Sequence, residues 1–149
     1  MSESRYEIER LIFTYAELMD AGDLAAVAAL FADADVSNDK DEVVRGTDRL
    51  LERWSKNVRI FPDGTPRTKH VTTNLIIDVV EGNDAATARS YVTVLQEIEG
   101  ELALQPVFAG GYADRFERVD GKWRFAARKK LAHLIGDLSH HLNLEFQRS

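Results

Sequence analysis

At Thr68 the spacing of apolar residues changes from every third or fourth position to every second, and that switch divides the chain into a helical part followed by a strand-forming part. Before it, Ile8, Leu11, Ile12, Tyr15, Leu18 and Met19 trace one buried helical stripe. Ser4 with Glu7 reads as a capping-box start, and Gly22 as a stop. Asp23 then caps a second short helix through Leu24, Val27, Leu30 and Phe31. The polar segment 33–41 reads as one strand or a loop. Thr47 or Asp48 opens a third helix with Leu50, Leu51, Trp54 and Val58 on its apolar side, and Pro62-Asp63-Gly64-Thr65-Pro66 is a loop by its turn residues. Beyond the switch, β-rich stretches cover about 68–80, 85–99, 103–119 and 122–134, separated by Glu81-Gly82-Asn83-Asp84, Glu99-Gly100-Glu101 and Asp120-Gly121. Asp-Gly tolerates the positive φ of a type I′ hairpin turn. Links this short force antiparallel neighbours. The expected class is therefore α+β, a cone-shaped roll in which three helices close one face of a strongly curved, mostly antiparallel sheet and enclose a cavity.

The length of 149 residues suits a single domain, 1–149, with one substantial core. A net charge of −6 argues against nucleic-acid binding, which needs a basic face. The absence of cysteine excludes disulfides, thiolate metal sites and cysteine nucleophiles. No apolar run reaches the length of a membrane span and no signal-peptide pattern is present, so a cytoplasmic protein is expected.

Three residues carry the chemistry. Tyr15 and Asp20 stand near the end of the first helix, and His70 follows fifty residues after Asp20 in Thr68-Lys69-His70-Val71-Thr72-Thr73-Asn74. A carboxylate beside a histidine fixes the imidazole tautomer and stabilises the imidazolium, which makes the histidine a general base near neutral pH. Asp20 lies where the helix macrodipole disfavours negative charge, a conflict that a nearby imidazolium would relieve. Strand alternation puts His70, Thr72 and Asn74 on one face, a wall too polar for plain core, with Val71, Thr73, Leu75 and Ile77 on the other. The plain readings are a satisfied strand histidine, a helix-end turn former and a core tyrosine.

The layout resembles the SnoaL-like branch of the nuclear-transport-factor-two-like superfamily. Its motifs are nearest those of scytalone dehydratase, bile-acid dehydratase and hexachlorocyclohexane dehydrochlorinase, over roughly residues 5 to 140. Tyr15, Asp20 and His70 match the bile-acid dehydratase pattern; Asp20 and His70 alone match the other two. The resemblance implies a cofactor-independent small-molecule lyase or isomerase acting on a cyclic hydrophobic ligand of polyketide, steroid or terpenoid type. Asp20, His70 and Tyr15 would be its catalytic residues. Trp54, Asn74, Tyr91, Phe108, Tyr112 and Arg128 are the expected ligand contacts, with Arg128 at the cavity mouth for a carboxylate or leaving anion. Two rival classes share the cone: a ligand-binding or accessory protein, such as the small subunit of a ring-hydroxylating dioxygenase, and a polyketide cyclase or epoxide hydrolase.

The chain also departs from those patterns. Scytalone dehydratase brings a second histidine from the following strand, where this chain reads Ser90-Tyr91-Val92-Thr93-Val94-Leu95-Gln96. The donor set of ketosteroid isomerases of this fold cannot be placed, and Asp114 reads as an exposed strand residue. Asp33, Asp35, Asp39 and Asp41 lack the glycine and glutamate of a calcium loop. His133, His140 and His141 lack a convincing acidic partner, so no metal is expected. Val92, Val94 and Phe116 are expected on a convex sheet side that the helices cannot cover, and the resemblance makes a homodimer or homotrimer the expected assembly.

Overall fold

The computed structural model describes residues 3–40, 42–80 and 82–143. Helices α1 (Glu3–Asp20), α2 (Leu24–Leu30) and α3 (Thr47–Asn57) surround the short strands β1 (Asp35–Asn38) and β2 (Val43–Arg45) in the chain. The long strands β3 (Thr68–Val80), β4 (Ala85–Ile98), β5 (Leu102–Val119) and β6 (Lys122–Ile135) follow as a meander. The sheet order is β2-β1-β6-β5-β4-β3, antiparallel throughout except that β1 runs parallel to β6. Asp120 (φ 51°) and Gly121 (φ 78°) carry the two positive φ values that close the β5–β6 hairpin. Segment 33–41, expected as one strand or a loop, contributes β1, and the chain returns as β2 just after it. Ser4 lies inside α1 and is buried, so it is not the cap expected of it. Asp23 does cap α2, accepting the Ala26 N–H at 3.1 Å.

The core lies between the helices and one face of the sheet. Ile8, Ile12, Tyr15 and Met19 of α1, with Val27 and Phe31 after it, meet Val92, Val94, Phe108, Tyr112, Phe116 and Phe125. Val92, Val94 and Phe116 therefore face inward, against expectation, because strand alternation places them on the helix side with Ser90 and Tyr112. The outer face carries the opposite set. Val71, Thr93, Ala109 and Leu134 form one cross-strand row on it, with Tyr91 56% and Leu134 70% exposed.

Two bulges set the remaining sidedness. In β3 the register shifts between Thr73 and Ile76, where Asn74 adopts φ 51°. The shift turns Leu75 and Ile77 toward the core, and Asn74 is exposed at the irregularity instead of continuing the His70–Thr72 face. In β6 a shift at Arg115/Phe116 brings Arg128 opposite Asp114.

Candidate active site

Helix α1 ends in a glycine-stopped turn: Gly22 (φ 75°) donates its N–H to Met19 and Asp23 donates to Leu18. A Cβ on Gly22 would run into the Gly64 carbonyl, so the glycine lets the 61–66 loop pack directly on the helix end. That loop delivers the start of β3 to the last residue of α1. Asp20 consequently accepts three hydrogen bonds from β3: the Thr68 hydroxyl at 2.9 Å, the His70 backbone N–H at 2.8 Å and the His70 ring at 2.6 Å.

The two side chains are 10% (Asp20) and 6% (His70) exposed. Burial by itself would raise the Asp20 pKa, but the hydrogen bonds and charge of His70, with Thr68, outweigh it and hold the carboxyl below its ordinary range. An ionised Asp20 requires that His70 Nδ1 carry the hydrogen and donate it. Nε2 is then the basic nitrogen, on the far side of the ring.

Tyr15 stands edge-on to the His70 ring (centroids 6.2 Å apart) and edge-on to Tyr112 (5.8 Å). Burial first, then the neighbouring Tyr15, push the Tyr112 pKa well above its usual value.

Arg128 and Asp114 depart from expectation. Asp114 is buried, and it takes a bidentate pair from Arg128, Nε at 2.8 Å and Nη2 at 2.9 Å, with side chains 3% (Arg128) and 0% (Asp114) exposed. The guanidinium lies 3.7 Å from the Tyr112 ring centroid and 4.5 Å from that of Tyr15. Burial works against its charge, but Asp114 overcomes this and raises the Arg128 pKa. Arg128 is thus a cation neutralised by a buried carboxylate, and its Nη1 has no hydrogen-bond partner.

The other expected contacts separate. Phe108 and Tyr112 face the helix side and are buried. Trp54 packs edge-on to Phe31 at 6.0 Å. Tyr91 lies on the outer face, because its neighbours Ser90 and Val92 point inward. Asn74 sits at the exposed bulge.

Two further groups, His141 beside the dyad and Lys130 over the Phe108 ring, were not singled out from the sequence as site residues. His141, from the segment after β6, lies 6.0 Å from His70 between ring centroids, with a buried Nδ1 that has no partner. Burial first, then the charges of His70 and Lys130, depress its pKa to about 3, so it is neutral at neutral pH. Lys130 pairs with Tyr112 in the sheet and shares its inward face. A depression of about 490 Å³, lined by Asp114 and Arg128 together with Asp35, Asp78, Arg89 and Arg115, among others, does not include the dyad. Among the described residues, no group of three or more His, Asp or Glu side chains is arranged to hold a metal, and no helix is long and apolar enough to cross a membrane.

Comparison with known proteins places this geometry in a family. The SnoaL-like domain model matches residues 1–129. No curated protein matches the chain. Among solved structures, a protein from Novosphingobium aromaticivorans provisionally named a scytalone dehydratase is 28% identical, with a TM-score of 0.69 over 90% of this chain and 87% of its own. From the same organism, an NTF2-like protein with a cystatin-like fold is 22% identical (TM-score 0.72, covering 93% and 86%). The beta subunit of a provisionally named aromatic-ring-hydroxylating dioxygenase is 20% identical (TM-score 0.70, covering 89% and 90%). These last two establish likeness of fold alone. The chain belongs to the SnoaL-like family, with the nuclear-transport-factor-two-like fold.

Proposed function

We propose that this chain is a cofactor-independent lyase or isomerase of dehydratase type, acting on a cyclic hydrophobic substrate through Asp20 and His70. The observation that carries the reading is the buried 2.6 Å contact between the His70 ring and a carboxylate tied down by two further donors. Such a pair is oriented before substrate arrives, which is the requirement for efficient general-base catalysis. His70 Nε2 takes a proton from the carbon next to an activating carbonyl, and Asp20 stabilises the imidazolium. The C–H electron pair becomes a carbon–carbon double bond. Either a leaving group departs with its own bonding pair, or the proton returns at another carbon. Tyr15, edge-on to the His70 ring, donates its hydroxyl hydrogen to the carbonyl or departing oxygen. Likeness to the provisionally named scytalone dehydratase supports the elimination outcome.

The test is a screen of hydroxylated and unsaturated cyclic ketones for loss of water or double-bond migration, without added cofactor. Turnover that disappears in His70→Ala is expected; a substrate turned over equally well by that variant would reject the reading. A second reading, a ligand-binding accessory protein, is favoured by the Arg128–Tyr15–Tyr112 stack, which fills part of the concave side. Tight ligand binding with no turnover across the screen would favour it. Either role is proposed to operate in a homodimer or homotrimer built on the apolar outer face of the sheet.

A further inference from the structure

Three cationic or potentially cationic side chains face the concave side near the dyad, and two of them are already answered. Arg128 is neutralised by Asp114, and His70 by Asp20. Lys130 is not: among the described residues, no carboxylate lies within ion-pair distance of its ammonium. Asp39 acts on it only through longer-range charge, and the Asp39 Oδ2 atom is occupied by the Ala132 N–H at 3.2 Å.

The position of this ammonium is fixed by the sheet. Lys130 pairs with Tyr112, so its side chain leaves β6 on the helix side, and Nζ lies 4.6 Å from the centroid of the Phe108 ring. Gly110 makes that placement possible. It stands between Phe108 and Tyr112 on the same face, and a Cβ there would strike the Leu131 carbonyl and come within 2.8 Å of the Phe108 ring. Phe108 is in turn the second neighbour of His70 across the sheet, through Val94. Two strand spacings put Phe108 about 10 Å from His70. The Lys130 surface is solvent-accessible, yet burial first and then Arg128 depress its pKa. An exposed lysine whose strand register turns it to the helix side projects into open space on the concave side, not from the outer surface. His141, in ring contact with His70, also feels the charge of Lys130.

We propose that Lys130 is the anion-holding group of this site, and that the ligand is a cyclic organic acid whose carboxylate pairs with Lys130 while its ring lies along Phe108 toward His70. The spacing of about 10 Å between Phe108 and His70 sets the length such a ligand must bridge beyond its carboxylate, on the scale of two fused rings. A carboxylate supplies the counter-charge that the protein itself does not, and the charge-assisted bond fixes which ring carbon meets His70. The inference rests on the reading of His70 as the proton-abstracting base only for its catalytic consequence; the anion site stands or falls by binding alone.

The experiment is calorimetric or ligand-observed NMR titration with benzoate and 2-naphthoate, each against its neutral amide, on the full chain. The wild type should prefer the carboxylates over the amides, and Lys130→Met should weaken carboxylate binding about tenfold or more, the scale of one charge-assisted hydrogen bond. Lys130→Arg should restore the preference. Amide binding should not change in Lys130→Met. Equal binding of acid and amide by the wild type, absence of carboxylate binding at millimolar concentration, or an unchanged preference in Lys130→Met would each overturn the proposal. The wild-type comparison decides even if a variant fails to fold. The two readings separate cleanly: a carboxylate preference in a wild type that turns over no substrate sinks the catalytic reading alone, whereas wild-type turnover that is lost in His70→Gln, without a carboxylate preference, sinks this one alone.

Discussion

The Nδ1–H of His70 donates to Asp20 at 2.6 Å, and the His70 backbone N–H donates to the other oxygen of the same carboxylate at 2.8 Å. One residue thus grips Asp20 twice, so ring orientation and strand position are set together. Asp20→Asn keeps the shape but loses the charge that supports the imidazolium. With a substrate in hand, His70→Ala and Asp20→Asn should each lower kcat by about 10²–10⁴-fold. Tyr15→Phe should be milder than either. Steady-state kinetics on the three variants checks the order, and an Asp20→Asn protein with wild-type kcat would remove the dyad from the mechanism.

The Arg128–Asp114 pair predicts a stability effect. Both groups are buried, so removing one leaves the other as an uncompensated charge. Asp114→Ala should cost about 3–5 kcal/mol in urea unfolding. Arg128→Met with Asp114→Leu should recover much of that loss, because the aromatic surround then meets apolar side chains. A loss below about 1 kcal/mol for Asp114→Ala, the range of exposed pairs, would show that the pair is not desolvated in solution.

His141 predicts an acid limb. Its folded pKa of about 3 lies below the ordinary 6.5, through burial first and then the charges of His70 and Lys130, with Asp20 opposing. Between those values the unfolded chain binds a proton that the folded chain refuses. Stability is therefore full above pH about 6.5 and falls toward pH about 3, by up to ~1.4 kcal/mol per pH unit. Asp20, whose folded pKa is lowered, contributes stability above its ordinary 3.8 that is lost below it. His141→Leu should flatten the limb between 6.5 and 4 and leave the steeper loss below. Unfolding free energies measured across this range decide it; an unchanged slope in His141→Leu rejects the assignment.

The outer face predicts assembly. Val71, Thr93, Ala109 and Leu134 form a row that no helix covers, beside Tyr91. Light scattering should return two or three times the 16.8 kDa chain mass, and Tyr91→Glu with Leu134→Glu should shift it to a monomer without changing the circular dichroism. A wild-type monomer at micromolar concentration would refute the assembly.

The sequence by itself determined the three helices, the four long strands and their order. Period-3.6 stripes, the Gly22 stop and the Asp120-Gly121 turn are local signals, each enforced by backbone sterics within a few residues. It also identified Asp20 and His70, because their spacing matches a known pattern. What it could not determine was sidedness. Alternation is a local rule, and a single bulge inverts every face beyond it. Extending the β5–β6 hairpin register from its turn would set Asp114 opposite Ala127; the bulge near Ala126 sets it opposite Arg128 instead and converts two apparent surface charges into a buried pair. The bulge at Asn74 likewise ends the polar face that begins at His70. His141 reaches the dyad only through the return of the segment after β6, and Lys130 comes over Phe108 only through the pairing of β5 with β6. Those depend on contacts between residues far apart in the chain, and only the tertiary structure decided them.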